Sequence, residues 1–540
     1  MVAGVAASTL ALALCARIEW PWPALELIAL VPWLAVLDRS TSLRQALAAG
    51  VLMCVAFVVA VFWWFASAIQ SYTAGPWPAA PLLLVLVAPL VEPQFVVFAL
   101  VRHLVRGAAP GSARGVAGVV AAACAYVGSE WASGKLFADT LGHGLYPSLW
   151  MRQAADLAGA HGLTLVVLLV NECACAALRP GTEARARRSL IRRVLAPATC
   201  AALLVGGLVA YGAWRCRELA ATPGEDAPIT VGLVQADISQ YDRLAAEVGT
   251  FAAVRRILET HFQLSDHALR RGGLDLLVWP ETVYPTTFGS PKSADGEAFD
   301  RAIGAYVDGI GIPLVFGAYD TQGGDEFNAA VFLEPTRDGR LEFETYHKAL
   351  LFPLTERVPA MLESELVRRV LPWLGTWQPG AGPQVRTLAL RDGRMLPIAP
   401  LICYDAIDPS FALAAVRRGA EVIVTLSNDS WFAVGAGPRL HLVVSAFRSI
   451  ESRRPQVRVT NTGISAVVSP TGALESTAGV HERTVLVGTV TPQRRWTLMI
   501  AWGDWFGPCC LVVALLLLAV RAADRLRRGA ESRAARRLSP

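Results

Sequence analysis

Long apolar runs recur through the first 215 residues and return once near the C-terminal end, and no other feature limits the fold as strongly. Stretches of roughly 17–25 apolar residues are long enough to cross a bilayer as helices. They lie near 3–18, 22–38, 46–69, 78–101, 115–132, 161–178, 194–214 and 498–520, so about eight spans are expected, the first two being the shortest. The 54% content of hydrophobic residues agrees, since an ordinary soluble chain carries less. Residues 216–495 lack such runs and read as a globular domain. The expected division is a transmembrane helical bundle of about seven spans over 1–215, a soluble domain over 216–495, a last transmembrane helix over 496–522 and a basic tail over 523–540.

The arginines orient this arrangement. Arg39 and Arg44, then Arg102, Arg106 and Arg114, then the cluster within 179–193, and finally that within 521–537 alternate with loops carrying few basic residues. Arginine-rich ends face the cytoplasm. Both termini are then inside and the 216–495 domain outside, which in a bacterium is the outer face of the inner membrane. The net charge of +5 thus reports topology and calls for no nucleic acid. No basic residue precedes the first apolar run, and Leu14, not a small residue, precedes Cys15, so this segment is expected to be retained rather than cleaved as a signal peptide.

Of the ten cysteines, nine (Cys15, Cys54, Cys124, Cys173, Cys175, Cys200, Cys216, Cys509 and Cys510) lie in or beside apolar segments. Only Cys403 lies inside the soluble domain, which excludes a disulfide framework there. Lysine is rarer still: only Lys135, Lys292 and Lys348 occur, against 46 arginines by subtraction from 49 basic residues. Cys173-Ala174-Cys175 has poor metal-ligand spacing and reads as packing. No phosphate loop, metal cluster or dinucleotide fingerprint occurs, so no cofactor and no metal are expected. Few ionisable residues interrupt the spans, Glu92, Glu130 and Glu172 being the exceptions, which argues against a transporter.

Within the soluble domain, short β-rich runs at 229–235, 274–279, 313–319, 330–333, 396–403, 422–427, 457–460 and 464–469 alternate with helical stretches at 243–271, 296–309 and 441–452. This is an α/β pattern with a sheet buried on at least one face. Three runs stop at a reactive side chain: Leu276-Leu277-Val278-Trp279-Pro280-Glu281, Tyr346-His347-Lys348 and Leu401-Ile402-Cys403-Tyr404-Asp405. Taken singly, Glu281 reads equally as a surface acid, Lys348 as a solvated charge and Cys403 as a small core residue. Taken together they supply thiol acyl transfer with a carboxylate to accept the thiol proton, a cation for the oxyanion and a nucleophile.

The order Glu, Lys, Cys resembles the triad of the nitrilase (carbon-nitrogen hydrolase) superfamily. The stretch Tyr346-His347-Lys348-Ala349-Leu350-Leu351-Phe352-Pro353-Leu354-Thr355-Glu356-Arg357-Val358-Pro359 narrows this, because it is similar to the corresponding segment of the apolipoprotein N-acyltransferases. So are Ser427-Asn428-Asp429-Ser430-Trp431-Phe432, Gly437-Pro438, His441, Arg448, Glu451, Arg454-Pro455 and Arg458-Val459-Thr460-Asn461-Thr462-Gly463-Ile464-Ser465, with Glu130-Trp131 in the membrane part. The resemblance implies a nitrilase-like αββα sandwich beside the membrane bundle. It also implies a two-step reaction in which a phospholipid donates an acyl group to Cys403, and the thioester passes it to the N-terminal amine of a diacylglyceryl lipoprotein. Glu281 becomes the general base, Lys348 the oxyanion cation, Glu356 the carboxylate that holds the lysine and the Tyr404 N–H a second oxyanion donor. Trp431 and Tyr241 become substrate-binding residues, and the tryptophan-bearing stretch 366–377 a lid dipping into the bilayer. The enzyme is expected to act as a monomer.

Three positions depart from the family pattern. Asp405 stands where the family has glutamate, Leu440 replaces the glutamine before His441, and the stretch 234–241 has no tryptophan where the family usually has one, unless Tyr241 substitutes for it. A carboxylate one methylene shorter can displace a catalytic group by about 1 Å and cost on the order of a hundredfold in rate. The competing readings are a nitrilase-type membrane amidase or acyltransferase using another amine, and a catalytically weakened scaffold of lipoprotein processing.

Overall fold

A computed structural model describes residues 1–73, 79–105, 112–179, 186–221, 226–238, 241–336, 340–360, 363–370, 374–432 and 435–538. The chain divides into two compact units, one of residues 1–66, 76–215 and 504–540, the other of 67–75 and 216–503.

In the first unit, five helices among the described residues are long and apolar enough to cross a membrane: Leu43–Val61, Ala113–Ala132, Met151–Leu178, Val194–Ala221 and Phe506–Arg528. The pair Ala79–Val91 and Gln94–Leu104, bent by 45°, makes six if it counts as one span. Prolines explain where this differs from the eight expected runs. The run at 22–38 is two short helices, Trp22–Glu26 and Val31–Arg39, each with proline in its first turn. Pro93 restarts the chain after Val91, because proline lacks the N–H that would continue a helix. Helix Val2–Cys15 has only 14 residues. The last run is also interrupted: helix Leu498–Trp502 stops at Gly503, whose φ is +77°, and the long helix begins at Phe506. Helices 113–132 and 506–538 lie in close contact at Gly128, where a Cβ would meet the Leu511 backbone at 2.6 Å.

The second unit is built on two sheets. Its strands are β1 (Ile229–Gln235), β2 (Leu276–Val278), β3 (Tyr284–Thr287), β4 (Leu314–Gln322), β5 (Asp325–Glu334), β6 (Glu342–His347), β7 (Arg386–Ala389), β8 (Met395–Ile402), β9 (Val422–Ser427), β10 (Gln456–Thr460), β11 (Ser465–Val468), β12 (Leu474–Ala478) and β13 (Thr484–Val490). One sheet runs β13-β1-β2-β4-β5-β6 with β3 on β4, the other β12-β11-β10-β9-β8-β7. The centre of each is parallel, β1-β2-β4 and β8-β9-β10, and the flanks are antiparallel. Alternation along β2 shows why the sheets stack: Leu276 and Val278 join a core shared with β8 and β9, while Leu277 and Trp279 face Val254, Ile257 and Ile303 of the helices Thr250–Leu269 and Ala294–Ile310. Phe411, Ala412 and Ala415 of helix Pro409–Arg417 pack on the second sheet. The layers are helix, sheet, sheet, helix.

The eight expected strands are all present. The helix expected over 243–271 is two, Tyr241–Val248 and Thr250–Leu269, parted at Gly249 with φ +86°. Five strands lie outside those eight runs: β6, of which only the end Tyr346-His347-Lys348 was read, β3 and β7, only four residues long, β12, mostly exposed, and β13.

Candidate active site

Each chemically interesting side chain sits just past the end of a strand, where an α/β fold leaves room for a site. After β2, Trp279 N–H donates to Val315 O (2.8 Å) and the chain turns at Pro280 to present Glu281. The turn passes directly over β4 at Gly317, where a Cβ would stand 2.4 Å from Thr282 N, so only glycine fits. At the end of β6, Lys348 N–H donates to Asn328 O (2.8 Å) and its side chain points inward. Cys403 follows β8 directly and begins a 3-10 turn, with φ +48°, a left-handed conformation rare outside glycine.

Buried Lys348 Nζ lies 3.1 Å from Glu281 Oε1 and 2.7 Å from Glu356 Oε1. Glu281 Oε1 also accepts from Asn328 Nδ2 (2.8 Å), and its Oε2 from the Asn428 N–H (2.7 Å) at the end of β9. Glu356 Oε2 accepts from the Phe352 N–H (2.7 Å). Thus Glu281 and Lys348 from one sheet are tied to the loop after β9 of the other. Asp405 makes a second tie. Its Oδ1 accepts from Ala349 N–H (3.2 Å) and Leu350 N–H (2.7 Å), its Oδ2 from Tyr346 Oη (2.8 Å) and Ile402 N–H (3.0 Å). At its own length this carboxylate straps the segment after Lys348 to the strand that carries Cys403.

Electrostatics follow the geometry. Burial alone lowers the Lys348 ammonium, but Glu281 and Glu356 outweigh it and raise the group well above the usual lysine range, fixing its charge. Burial and the Glu281 carboxylate push the Cys403 thiol up, with Lys348 opposing. The resting Cys403 side chain is therefore a thiol and not a preformed thiolate. Burial raises Asp405 to about 6 in spite of its four donors.

Of the remaining residues singled out from sequence, Tyr404 packs edge-on against Phe352 (5.1 Å), Phe352 against Trp431 (5.0 Å), and Trp431 stacks on Phe432 (4.0 Å). Trp431 thus belongs to an aromatic group that includes Tyr404, the residue after Cys403. Tyr241 sits half-buried at the start of its helix against the helix-side core, and its substrate-binding role rests on the family resemblance alone. In the stretch 366–377, residues 371–373 lie outside the described residues, Leu366 is 71% exposed and Trp377 packs on Tyr319 (4.6 Å). Sequence reasoning gave no role to Asn328, the Asn428 N–H or the Tyr346 hydroxyl, which hold the carboxylates. A buried asparagine heading the apolar run of β5 was the one available signal.

Comparison with known proteins places the fold. A family model for carbon-nitrogen hydrolases matches residues 230–496, the two-sheet unit, and the fold is the nitrilase-like αββα sandwich. An amidase from Nesterenkonia sp. aligns over 49% of this chain and 91% of its own at 20% identity, with a TM-score of 0.35. The class is therefore a carbon-nitrogen hydrolase domain joined to a unit rich in membrane-length helices. That helical part matches the model "Apolipoprotein N-acyltransferase N-terminal domain" over residues 8–173. Proteins named apolipoprotein N-acyltransferase match from Bdellovibrio bacteriovorus (27% identity, 90% of this chain and 87% of the relative), Geobacter metallireducens (29%, 91% and 90%) and Caulobacter vibrioides (30%, 75% and 73%). The chain belongs to the apolipoprotein N-acyltransferase family.

Proposed function

We propose that this protein is an N-acyltransferase that moves a fatty acyl group from a phospholipid, through a thioester on Cys403, to the N-terminal amine of a diacylglyceryl lipoprotein. It works as a monomer at the outer face of a bacterial inner membrane, with both termini cytoplasmic. The observation that carries the mechanism is the convergence of Glu281, Lys348 and Glu356, each carboxylate fixed by a main-chain N–H, with the charges of Glu281 and Lys348 acting on the buried Cys403 thiol.

The steps follow from that arrangement. Glu281 takes the Cys403 proton as sulfur attacks the ester carbonyl of the donor, because a thiol pushed up by burial needs a base at the moment of attack. Two of the three N–H donors of Lys348 go to Glu281 and Glu356. The third, with the Tyr404 N–H, meets the tetrahedral oxyanion. Collapse breaks the C–O bond, and the proton on Glu281 leaves with the lysophospholipid hydroxyl. In the second half, Glu281 accepts a proton from the incoming amine, nitrogen attacks the thioester, the C–S bond breaks and the thiolate recovers the proton. The covalent step lets two bulky lipids visit one site in turn, so kinetics are ping-pong.

The test is acyl transfer from phospholipid to a synthetic diacylated lipopeptide in detergent micelles, followed by peptide mass. Wild type is expected to add one acyl chain to the N-terminal amine and Cys403→Ala none. Failure of wild type, while the Caulobacter vibrioides relative converts the peptide in the same micelles, would favour the scaffold reading. Conversion of a simple amide instead of the peptide would favour the amidase.

A further inference from the structure

Behind the nucleophile lies a buried polar chain that the mechanism above does not use. His441, on helix Ala436–Ser452, places Nε2 3.3 Å from the carbonyl oxygen of Cys403. Its Nδ1 lies 3.0 Å from Asp429 Oδ1. Asp429 also accepts from Ser427 Oγ (2.9 Å) and, at Oδ2, from Arg458 Nη2 (3.2 Å), which is 3.1 Å from His441 Nδ1 as well. All three charged or titratable groups are buried, Arg458 completely. Burial alone raises the Asp429 carboxyl, but His441, Arg458 and the hydrogen bonds outweigh it and hold it at about 2, so a permanent carboxylate faces the Nδ1 side of the ring. The Cys403 carbonyl and the Asp429 carboxylate can only accept, so the chain closes with a proton on both Nε2 and Nδ1, each donating, and the two bonds fix the plane of the imidazole.

The carbonyl at the end of this chain belongs to the peptide that joins Cys403 to Tyr404. A trans peptide is planar, with C=O and N–H pointing in opposite directions. Pinning the Cys403 carbonyl therefore also aims the Tyr404 N–H. The need for a pin is visible in the backbone, because Cys403 holds φ at +48° without being glycine, a conformation that persists only where its surroundings enforce it.

We propose that His441, oriented by Asp429, is a positioning residue that holds the Cys403–Tyr404 peptide plane so that the Tyr404 N–H meets the developing oxyanion. A hydrogen bond to the carbonyl also polarises that peptide and strengthens its N–H as a donor. This rests on the acyltransfer reading, and its effect falls on the transition state and not on substrate binding.

The experiment compares His441→Gln with His441→Asn in single-turnover formation of the Cys403 acyl adduct from phospholipid. A glutamine amide can reproduce Nε2 and its bond to the Cys403 carbonyl, whereas an asparagine amide can reproduce only Nδ1 and its bond to Asp429. His441→Asn is expected to lower the acylation rate about 100-fold, the order of effect of misplacing or losing an oxyanion donor. Half-saturating phospholipid should stay within about twofold, since this bond is realised in the transition state. His441→Gln is expected to recover at least about tenfold of that loss, because the donor to the carbonyl is restored. Equal rates for wild type and His441→Asn, or an equal loss in both variants with a matching fall in melting temperature, would overturn the proposal. Should His441→Asn fail to fold, Asp429→Asn replaces it, with a loss of about tenfold expected from the freed ring and an unchanged rate counting against the idea. Absence of any adduct on wild type would instead reject the acyltransfer reading itself.

Discussion

Lys135 in the helical unit and Lys348 in the two-sheet unit are both buried among carboxylates, yet the two clusters are built differently. Lys135 Nζ lies 3.1 Å from Glu92, 3.5 Å from Glu130 and 3.4 Å from Asp139, and its partners are held largely by other side chains, such as Gln94. Among the described residues, Glu130 Oε2 and Gln94 Oε1 are buried without a hydrogen-bond partner, as is Asn328 Oδ1 in the other cluster. Around Lys348, by contrast, the second oxygen of each carboxylate takes a main-chain N–H, from Asn428 for Glu281 and from Phe352 for Glu356. A carboxylate fixed to backbone keeps its place while charge moves through the site. Side chains holding side chains bind helices together where unpaired charge is costly. The third lysine, Lys292, is 61% exposed and pairs with Glu326 at the surface, where such a pair contributes little.

Substitutions at the two clusters should separate rate from stability. Glu281→Gln keeps the size of the side chain and removes the base. Thioester formation is expected to fall about a thousandfold, with the melting temperature in detergent nearly unchanged. If instead the protein melts early and the surviving fraction reacts at the wild-type rate, Glu281 is structural and the two clusters are alike. Lys135→Met should do the reverse. It leaves three buried carboxylates without their cation, a loss of about 3–5 kcal/mol. Denaturant or thermal unfolding should show that loss, while correctly folded molecules keep their turnover per site. A fall in turnover at unchanged stability would put Lys135 among the residues that serve the reaction.

The smallest expected effect concerns pH. Asp429 is depressed from its usual 3.8 to about 2 in the folded protein, so the unfolded chain binds its proton first as pH falls. Its contribution, about 2 kcal/mol, is complete above the unfolded value and disappears as pH drops through the folded one. The melting-temperature advantage of wild type over Asp429→Asn should therefore hold at pH 6 and shrink from pH 4 toward pH 2. An advantage that grows on acidification would mean that the carboxylate is not held by His441 and Arg458 as described.

What the sequence disclosed, and what it hid, follows from the same physics. Glu281, Lys348 and Cys403 were legible because each ends a strand run, and a reactive group at a strand end interrupts a hydrophobic pattern. The sandwich was legible through family resemblance, since periodicity gives strands but not their order. The place of Asp405 was hidden, because sequence cannot show that its two oxygens close four bonds, to Ala349 and Leu350 on one side and to Tyr346 and Ile402 on the other. Asn428 acts through its main-chain N–H, which leaves no mark on residue type. The breaks in the helical unit were not legible, because hydropathy counts apolar residues and passes over Pro21, Pro32 and Pro93, where helices restart.

The central claim is that Cys403 carries the acyl group, and intact-mass measurement of the purified protein after incubation with phospholipid tests it most directly. One added acyl mass is expected on wild type, removed by hydroxylamine and discharged by a diacylated lipopeptide, with no addition on Cys403→Ser that hydroxylamine can remove. A wild type that stays unmodified where a family relative acylates, or an identical hydroxylamine-labile adduct on Cys403→Ala, would contradict the account.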